Sequence, residues 1–396
     1  MTFAVDRVRA DFPALRAGLA HFDAPGGSQT PQSVIDAISG ALGAPLANRG
    51  GDNLAQRNAE TIVIEARTAL ADLVHGDPGG IVLGRSATQL SFDFARLLAR
   101  SWQPGDEVVV TRLDHDANIR PWVVAAEVAG AVVRWIDFDP VTGVLDVGRL
   151  EAQLSDRTRV VAVTAASNLI GTMPDITAIS TAVHAAGALF WVDGVHYAAH
   201  ALVDIEKLGC DVFVCSPYKF LGPHHGVLAA APELLAGWHP DKLLPSTDTV
   251  PERFELGTLP YELLAGTTAA VDYLAGMGSS SGDRRADLAA SLAATHDHEL
   301  RLRTRIETGL IELGAAVYSR APQRTSTLLF DLPGVDAASV SEQLAAAGVN
   351  APAGHFYAVE ASRHLGLGDT GAVRVGLAPY NDDTDVDRLL AGLVAV

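Results

Sequence analysis

From Gly80 onward the chain alternates short apolar runs with longer helical stretches, and few folds satisfy that rhythm. The runs fall at residues 80–84, 106–111, 131–137, 159–164, 188–193, 211–215 and 226–231, with helices of ten or more residues between most of them. Runs that are apolar at nearly every position suit strands buried on both faces. The alternation predicts an α/β fold in which helices cover both sides of a mostly parallel seven-stranded sheet. A chain of 396 residues exceeds one small core, so a large domain and a smaller one are expected.

A change to small, flexible residues at 276–283 marks the division. Residues 18–280 are expected to form the large domain. Residues 285–396, joined by an N-terminal arm of residues 1–17, are expected to form a smaller α+β domain. Its elements are a long helix over 285–313, strands near 326–332 and 372–377, and helices near 337–347 and 383–394.

The stretch from Val192 to Gly226 carries the first chemical signal. One apolar run ends in Asp193-Gly194, and the next is followed by Ser216-Pro217-Tyr218-Lys219. Neighbouring parallel strands bring Asp193 and Lys219 to the same sheet edge, where open α/β folds bind ligands. A carboxylate and an amine held there suit pyridoxal phosphate (PLP), whose aldehyde condenses with a lysine and whose ring nitrogen is kept protonated by an acid. Taken singly, Asp-Gly is an ordinary turn and a lone lysine after a strand is ordinary surface. His196 and Ser216 flank the pair and lend it weight.

Further motifs follow the other strands. Gly84 to Thr88 opens a helix, and free N–H groups at a helix start attract phosphate, although Ser86 also reads as a plain cap. His115 offers an imidazole that can stack on an aromatic ring and move protons, or it is a surface residue between Asp114 and Asp116. Asn168 is either an amide at the sheet edge or a turn former. Glu255 to Thr258 reads as a polar loop. Arg374 is a lone charge in an apolar strand, and arginine grips carboxylates through two parallel hydrogen bonds.

Composition excludes several classes. A net charge of −18, spread without long like-charge blocks, disfavours nucleic acid or an anionic membrane as partner. The start MTFAVDRVRADF is charged and lacks a signal peptide's apolar core. No apolar run approaches the roughly 20 residues that span a bilayer. The two cysteines, Cys210 and Cys215, read as buried structural residues, and the default compartment is the reducing cytoplasm. The adjacent His224 and His225 lack further ligands nearby in sequence, so no metal site is expected. No GxGxxG follows a strand, so no nicotinamide cofactor is expected.

Together the segments DHDANIRPW, SNLIGT, VDGVHY, CSPYKFLGP, ELGT and VRVGLAPYN resemble, in order and over nearly the whole chain, the class V aminotransferase group of fold-type I PLP-dependent transferases. The cysteine desulfurase-like branch is most similar. The resemblance implies that Lys219 holds the cofactor aldehyde and later acts as a mobile base. It implies that Asp193 pairs with the ring nitrogen, His115 stacks on the ring and Asn168 contacts the ring hydroxyl. Ser86, Ala87, Thr88 and Ser216 would lie near the phosphate. His196 stands where the family has Gln or His, and Tyr218 replaces the usual His before the lysine. Thr258 would reach the phosphate of a neighbouring subunit, implying a homodimer with a shared active site. Arg374 would bind the substrate carboxylate, with His355 and the loops around residues 24–29, Arg49 and 352–357 near the substrate.

One departure matters. The family's desulfurases carry a nucleophilic cysteine in a Gly-His-His-Cys-Ala-like motif, and this chain reads Gly354-His355-Phe356-Tyr357-Ala358. Persulfide transfer needs a thiolate. The expected function is therefore β-elimination on an α-amino acid, of the C–S or C–Se lyase type. The alternatives are amino-group transfer, epimerisation or a non-catalytic relative, which would have no physical need for Lys219.

Overall fold

The computed structural model describes residues 3–278 and 281–395. Ser279 and Ser280, in the expected link between domains, lie outside the described residues, as do Met1 and Thr2 of the arm.

All seven apolar runs form strands, each within about a residue of its expected bounds. They are β1 (Ile81–Gly84), β2 (Glu107–Thr111), β3 (Val132–Ile136), β4 (Thr158–Thr164), β5 (Leu189–Asp193), β6 (Val212–Cys215) and β7 (Gly226–Ala230). They make one sheet in the order β1-β7-β6-β5-β4-β2-β3. Only β7 opposes its neighbours; it runs antiparallel to both β6 and β1.

The apolar runs are continuous because both faces of the sheet are covered. Val108 and Val110 of β2 pack in one core and Val109 in the other. Trp191 of β5 likewise faces one side while Phe190 and Val192 face the opposite side. Phe190, Trp191, Val192 and Phe213 are fully buried, and each large apolar side chain so buried is worth about 1.5–3 kcal/mol. The edge strand β3 instead alternates exposed and partly buried residues.

The parallel strands end together. Register pairs Thr164 of β4 with Asp193 of β5, and Asp193 with Val214 of β6. The segments that follow β2, β4, β5 and β6 carry His115, Asn168, His196 and Lys219. Gly84, closing β1, pairs with Gly226, opening β7, which brings the Gly84–Thr88 turn to the same edge.

A second, antiparallel sheet orders its strands as Ala353–Gly354, Ala372–Gly376, Thr327–Asp331 and Ala316–Val317. Two of its strands were expected from sequence; the other two span two residues each and carry no periodic signal. Phe22 packs with Leu302, Leu328, Phe330, Val373 and Val375 in the core beside this sheet. The N-terminal arm is tied there too, since Arg9 bridges to Asp382 at 2.9 Å and Asp385 at 2.7 Å. Arg374 sits between Val373 and Val375, so alternation turns it to the other face, where its Nη1 donates to the Asn168 carbonyl at 3.0 Å.

Gly226 shows how tightly the edge is built. A Cβ there would lie 2.2 Å from the Ser86 carbonyl carbon and 2.5 Å from the Ala87 nitrogen. Backbone cannot swing aside as a side chain can, so Gly226→Ala is expected to lower stability by about 1–3 kcal/mol. Denaturant unfolding checks this, and an unchanged midpoint would contradict the contact.

Candidate active site

A hollow of about 80 Å³ lies at the C-terminal edge of the large sheet. It is lined by Ser86, Ala87, Thr88, His115, Asn168, Asp193, His196, Ser216, Tyr218 and Lys219, together with Ser91, Thr164 and Val195. It adjoins a cavity of about 610 Å³ that shares Thr88, His115, Asn168, Tyr218 and Lys219 and adds Asp23, Phe92, Asp116, Arg120, Phe356, Tyr357 and Arg374. Residues far apart in sequence thus converge on one place.

Asp193 ends β5 and is buried, with Oδ1 accepting from the Val195 N–H at 2.9 Å. Burial raises its carboxyl to about 6, against the opposing pull of that bond and of Lys219. Lys219 sits in a single 3₁₀ turn over Pro217–Lys219, and its Nζ donates to the carbonyls of Pro25 and Gly26. Burial lowers its amine to about 7; the Arg374 charge lowers it further, and Asp23 and Asp193 act the other way. Near neutral pH much of Lys219 is therefore a free amine, the form that attacks an aldehyde. The Tyr218 ring lies under Nζ, 4.9 Å from it, and is itself held flat against His224 at 4.7 Å between ring centroids.

His115 is held by its own turn: Nδ1 accepts from the Ala117 N–H at 3.0 Å. Burial, then the Lys219 and Arg374 charges, push its pKa down to about 3. The ring is neutral at pH 7, and the proton sits on Nε2 because Nδ1 is an acceptor. Tyr357 stacks on it with centroids 5.5 Å apart and planes 25° from parallel. His196 is buried, with Nε2 3.0 Å from both the Thr325 and Thr327 hydroxyls, and burial holds it neutral as well. Asn168 Nδ2 donates to the Phe356 carbonyl at 3.0 Å, while its Oδ1 is buried without a partner. Ser86 is the N-cap of the helix Ala87–Ala99, its Oγ accepting from the Gln89 N–H at 3.1 Å.

His355 and Arg49, expected near the substrate, line neither hollow, and Thr258, expected to reach a neighbouring subunit, lines neither within its own chain. The His355 Nδ1 accepts from the Tyr357 N–H at 3.1 Å, so its ring caps its own turn, and Phe356 and Tyr357 line the cavity instead. Thr258 lies in an exposed loop and lines neither hollow. Arg49 is bound to Glu60 at 2.8 Å and also lines neither. Sequence reasoning missed Asp23, which meets Arg374 Nη2 at 2.5 Å. Its only signal was a lone acid in the turn-rich segment 21–27.

The cysteines stand apart from this chemistry. Cys215 is fully buried and Cys210 partly so; burial raises both thiols, Cys210 to about 12. Neither lines the two cavities. Among the described residues, no cluster of three or more His, Cys, Asp or Glu side chains could hold a metal, and His225 is bonded to the Thr267 hydroxyl at 2.6 Å.

Residues 20–389 match the aminotransferase class-V family. The chain belongs to that family. A cysteine desulfurase of Salmonella dublin is 31% identical, with 100% of this chain and 99% of the relative covered. An uncharacterized protein of Mycobacterium tuberculosis is 35% identical over the full length of both, and an aminotransferase-like protein of Gibberella zeae is 32% identical over 100% and 99%. The crystal structure of the cysteine desulfurase CsdA from Escherichia coli superposes with a TM-score of 0.88 at 27% identity, covering 100% of this chain and 98% of that one. The fold is that of fold-type I enzymes, and the class V family works with pyridoxal 5′-phosphate.

The residues present fit that cofactor. An amine, a carboxylate, an imidazole and hydroxyls beside a helix start surround one hollow, and an amide oxygen of Asn168 is left without a partner there. No helix among the described residues is long and apolar enough to cross a membrane.

Lys219 is expected to trap aldehydes near neutrality. Labelling of the cofactor-free protein by pyridoxal phosphate, fixed with borohydride, should rise as pH passes through about 7. A rise only near the ordinary lysine value of about 10.4 would show that the amine is not desolvated as described.

Proposed function

We propose that this PLP-dependent enzyme is a lyase that expels a sulfur- or selenium-bearing substituent from Cβ of an α-amino acid. The observation that carries the reading is the loop Gly354–Ala358. It presents Phe356 and Tyr357 to the cavity before Lys219, and both cysteines are packed outside it. A chain without a thiol there cannot accept sulfur as a persulfide. Elimination needs only removal of the Cα proton and departure of the leaving group.

In this reading Lys219, Asp193, His115, Asn168, His196 and Tyr218 hold the cofactor ring, and Ser86, Ala87, Thr88 and Ser216 surround its phosphate. When bound, pyridoxal phosphate supplies an aldehyde that captures the substrate amine and a ring that takes up charge from Cα. Asp193 would hold the ring nitrogen as a carboxylate, because a cation that close favours ionisation by about 1–3 pKa units. The Lys219 Nζ, its basicity lowered by burial to about 7, takes the proton from the substrate Cα. Arg374 orients the α-carboxylate. His115, neutral with its proton on Nε2, packs against the ring. Tyr357 and Phe356 cover the cavity and limit water.

The reading includes a homodimer. Thr258 lines neither hollow of its own chain and belongs to a loop whose Leu256 is 65% exposed, as a residue reaching a second copy would be. Two free cysteines in a chain expected to be cytoplasmic fit the reducing compartment.

Incubation with a panel of amino acids tests the reaction. Pyruvate with ammonia and sulfide or selenide is expected, and Lys219→Ala should lower the rate by about 10²–10⁴-fold. A keto acid formed only with an acceptor would make the enzyme a transaminase. Alanine with a protein-bound persulfide would overturn the reading.

A further inference from the structure

Arg374 is 1% exposed, and its charge is already paired with an acid inside the protein. Nη1 donates to the Asn168 carbonyl at 3.0 Å, and Nη2 donates to Asp23 Oδ1 at 2.5 Å. The Phe356 ring covers one face of the guanidinium, its centroid 3.6 Å from Cζ. Nε is buried and without a partner, and each Nη keeps a second N–H. A substrate carboxylate entering the cavity meets an arginine that is already neutralised and bonded.

Asp23 differs from the other two covers. Its side chain is 29% exposed and lines the same cavity as Lys219. Its main chain is anchored: the carbonyl accepts from Gly26 N–H at 2.9 Å and Gly27 N–H at 3.0 Å. The carboxylate can therefore leave Arg374 by side-chain rotation and turn toward solvent without unmaking the turn. The remaining charges on the cavity wall, Asp116 and Arg120, pair with each other at 3.0 Å and leave Arg374 to Asp23.

We infer that Asp23 is an internal substitute for the substrate's α-carboxylate, a specificity-determining residue that occupies Arg374 until a carboxylate displaces it. This rests on the reading that Arg374 is the carboxylate fork. Exchange of one carboxylate for another yields little net attraction, because the bonds made resemble the bonds lost. Asp23 thus weakens the binding of simple carboxylates, and only ligands with a further hold, such as an amine captured beside Lys219, displace it readily. The class selected is the α-amino acid, against carboxylates that lack the amine.

Propionate, which has the carboxylate and no amine, is the probe. Its dissociation constant would be measured on cofactor-loaded wild type and Asp23→Asn by thermal unfolding across a titration. The variant removes the charge but keeps the shape, leaving a buried guanidinium in need of an anion. It should melt lower without propionate, gain more from it than wild type does, and bind it at least about tenfold tighter, which is 1.4 kcal/mol. Equal or weaker binding in the variant would overturn the role of Asp23 and leave Arg374 as the fork. Absence of propionate binding in both proteins, with amino acids still consumed, would remove Arg374 from substrate binding altogether. Wild-type crystals soaked in propionate give a second route that does not depend on the variant folding. Propionate on Arg374 with Asp23 turned away supports the inference; Asp23 still on Arg374 and propionate at Arg120 contradicts it.

Discussion

A buried carboxylate and a half-buried amine stand at the ends of adjacent strands, and the site depends on that constraint. Asp193 closes β5, and Lys219 follows β6 by one short turn. Each is held by backbone, through the Val195 N–H and the Pro25 and Gly26 carbonyls. Burial disfavours the charged form of both. A ligand with a cationic ring nitrogen and an aldehyde would relieve both burial costs together, with a counter-charge for Asp193 and a partner for the uncharged Lys219 amine. The sheet keeps the two in place because Phe190, Trp191, Val192 and Phe213 fix β5 and β6 from both faces.

The large sheet was legible in sequence because burial on both faces leaves unbroken apolar runs, and helices must fill the crossings between parallel strands. The same reasoning singled out Asp193, Lys219, His115 and Asn168, which end such runs or follow them. It gave no warning that β7 turns antiparallel, since a buried strand reads alike in either direction. Strands such as Ala316–Val317 and Ala353–Gly354 are too short to show a period.

What stayed hidden depends on contacts across the chain. Asp23 meets Arg374 over 351 positions, and nothing local to either announces the other. The His355 segment looked chemical for its imidazole. Its backbone instead takes Phe356 and Tyr357 through the left-handed region, at φ of 50° and 61°, which puts their rings on the cavity wall and leaves His355 bonded within its own turn. The segment covers Arg374 and His115 with aromatic surface.

The most direct test is the protonation state of the bound cofactor's ring nitrogen, followed by ¹⁵N NMR with labelled pyridoxal phosphate. The nitrogen is expected to stay protonated from pH 6 to 9 in the wild type and to lose that proton in Asp193→Asn. A wild-type nitrogen that titrates as it does in free cofactor, or one unaffected by the substitution, would contradict it.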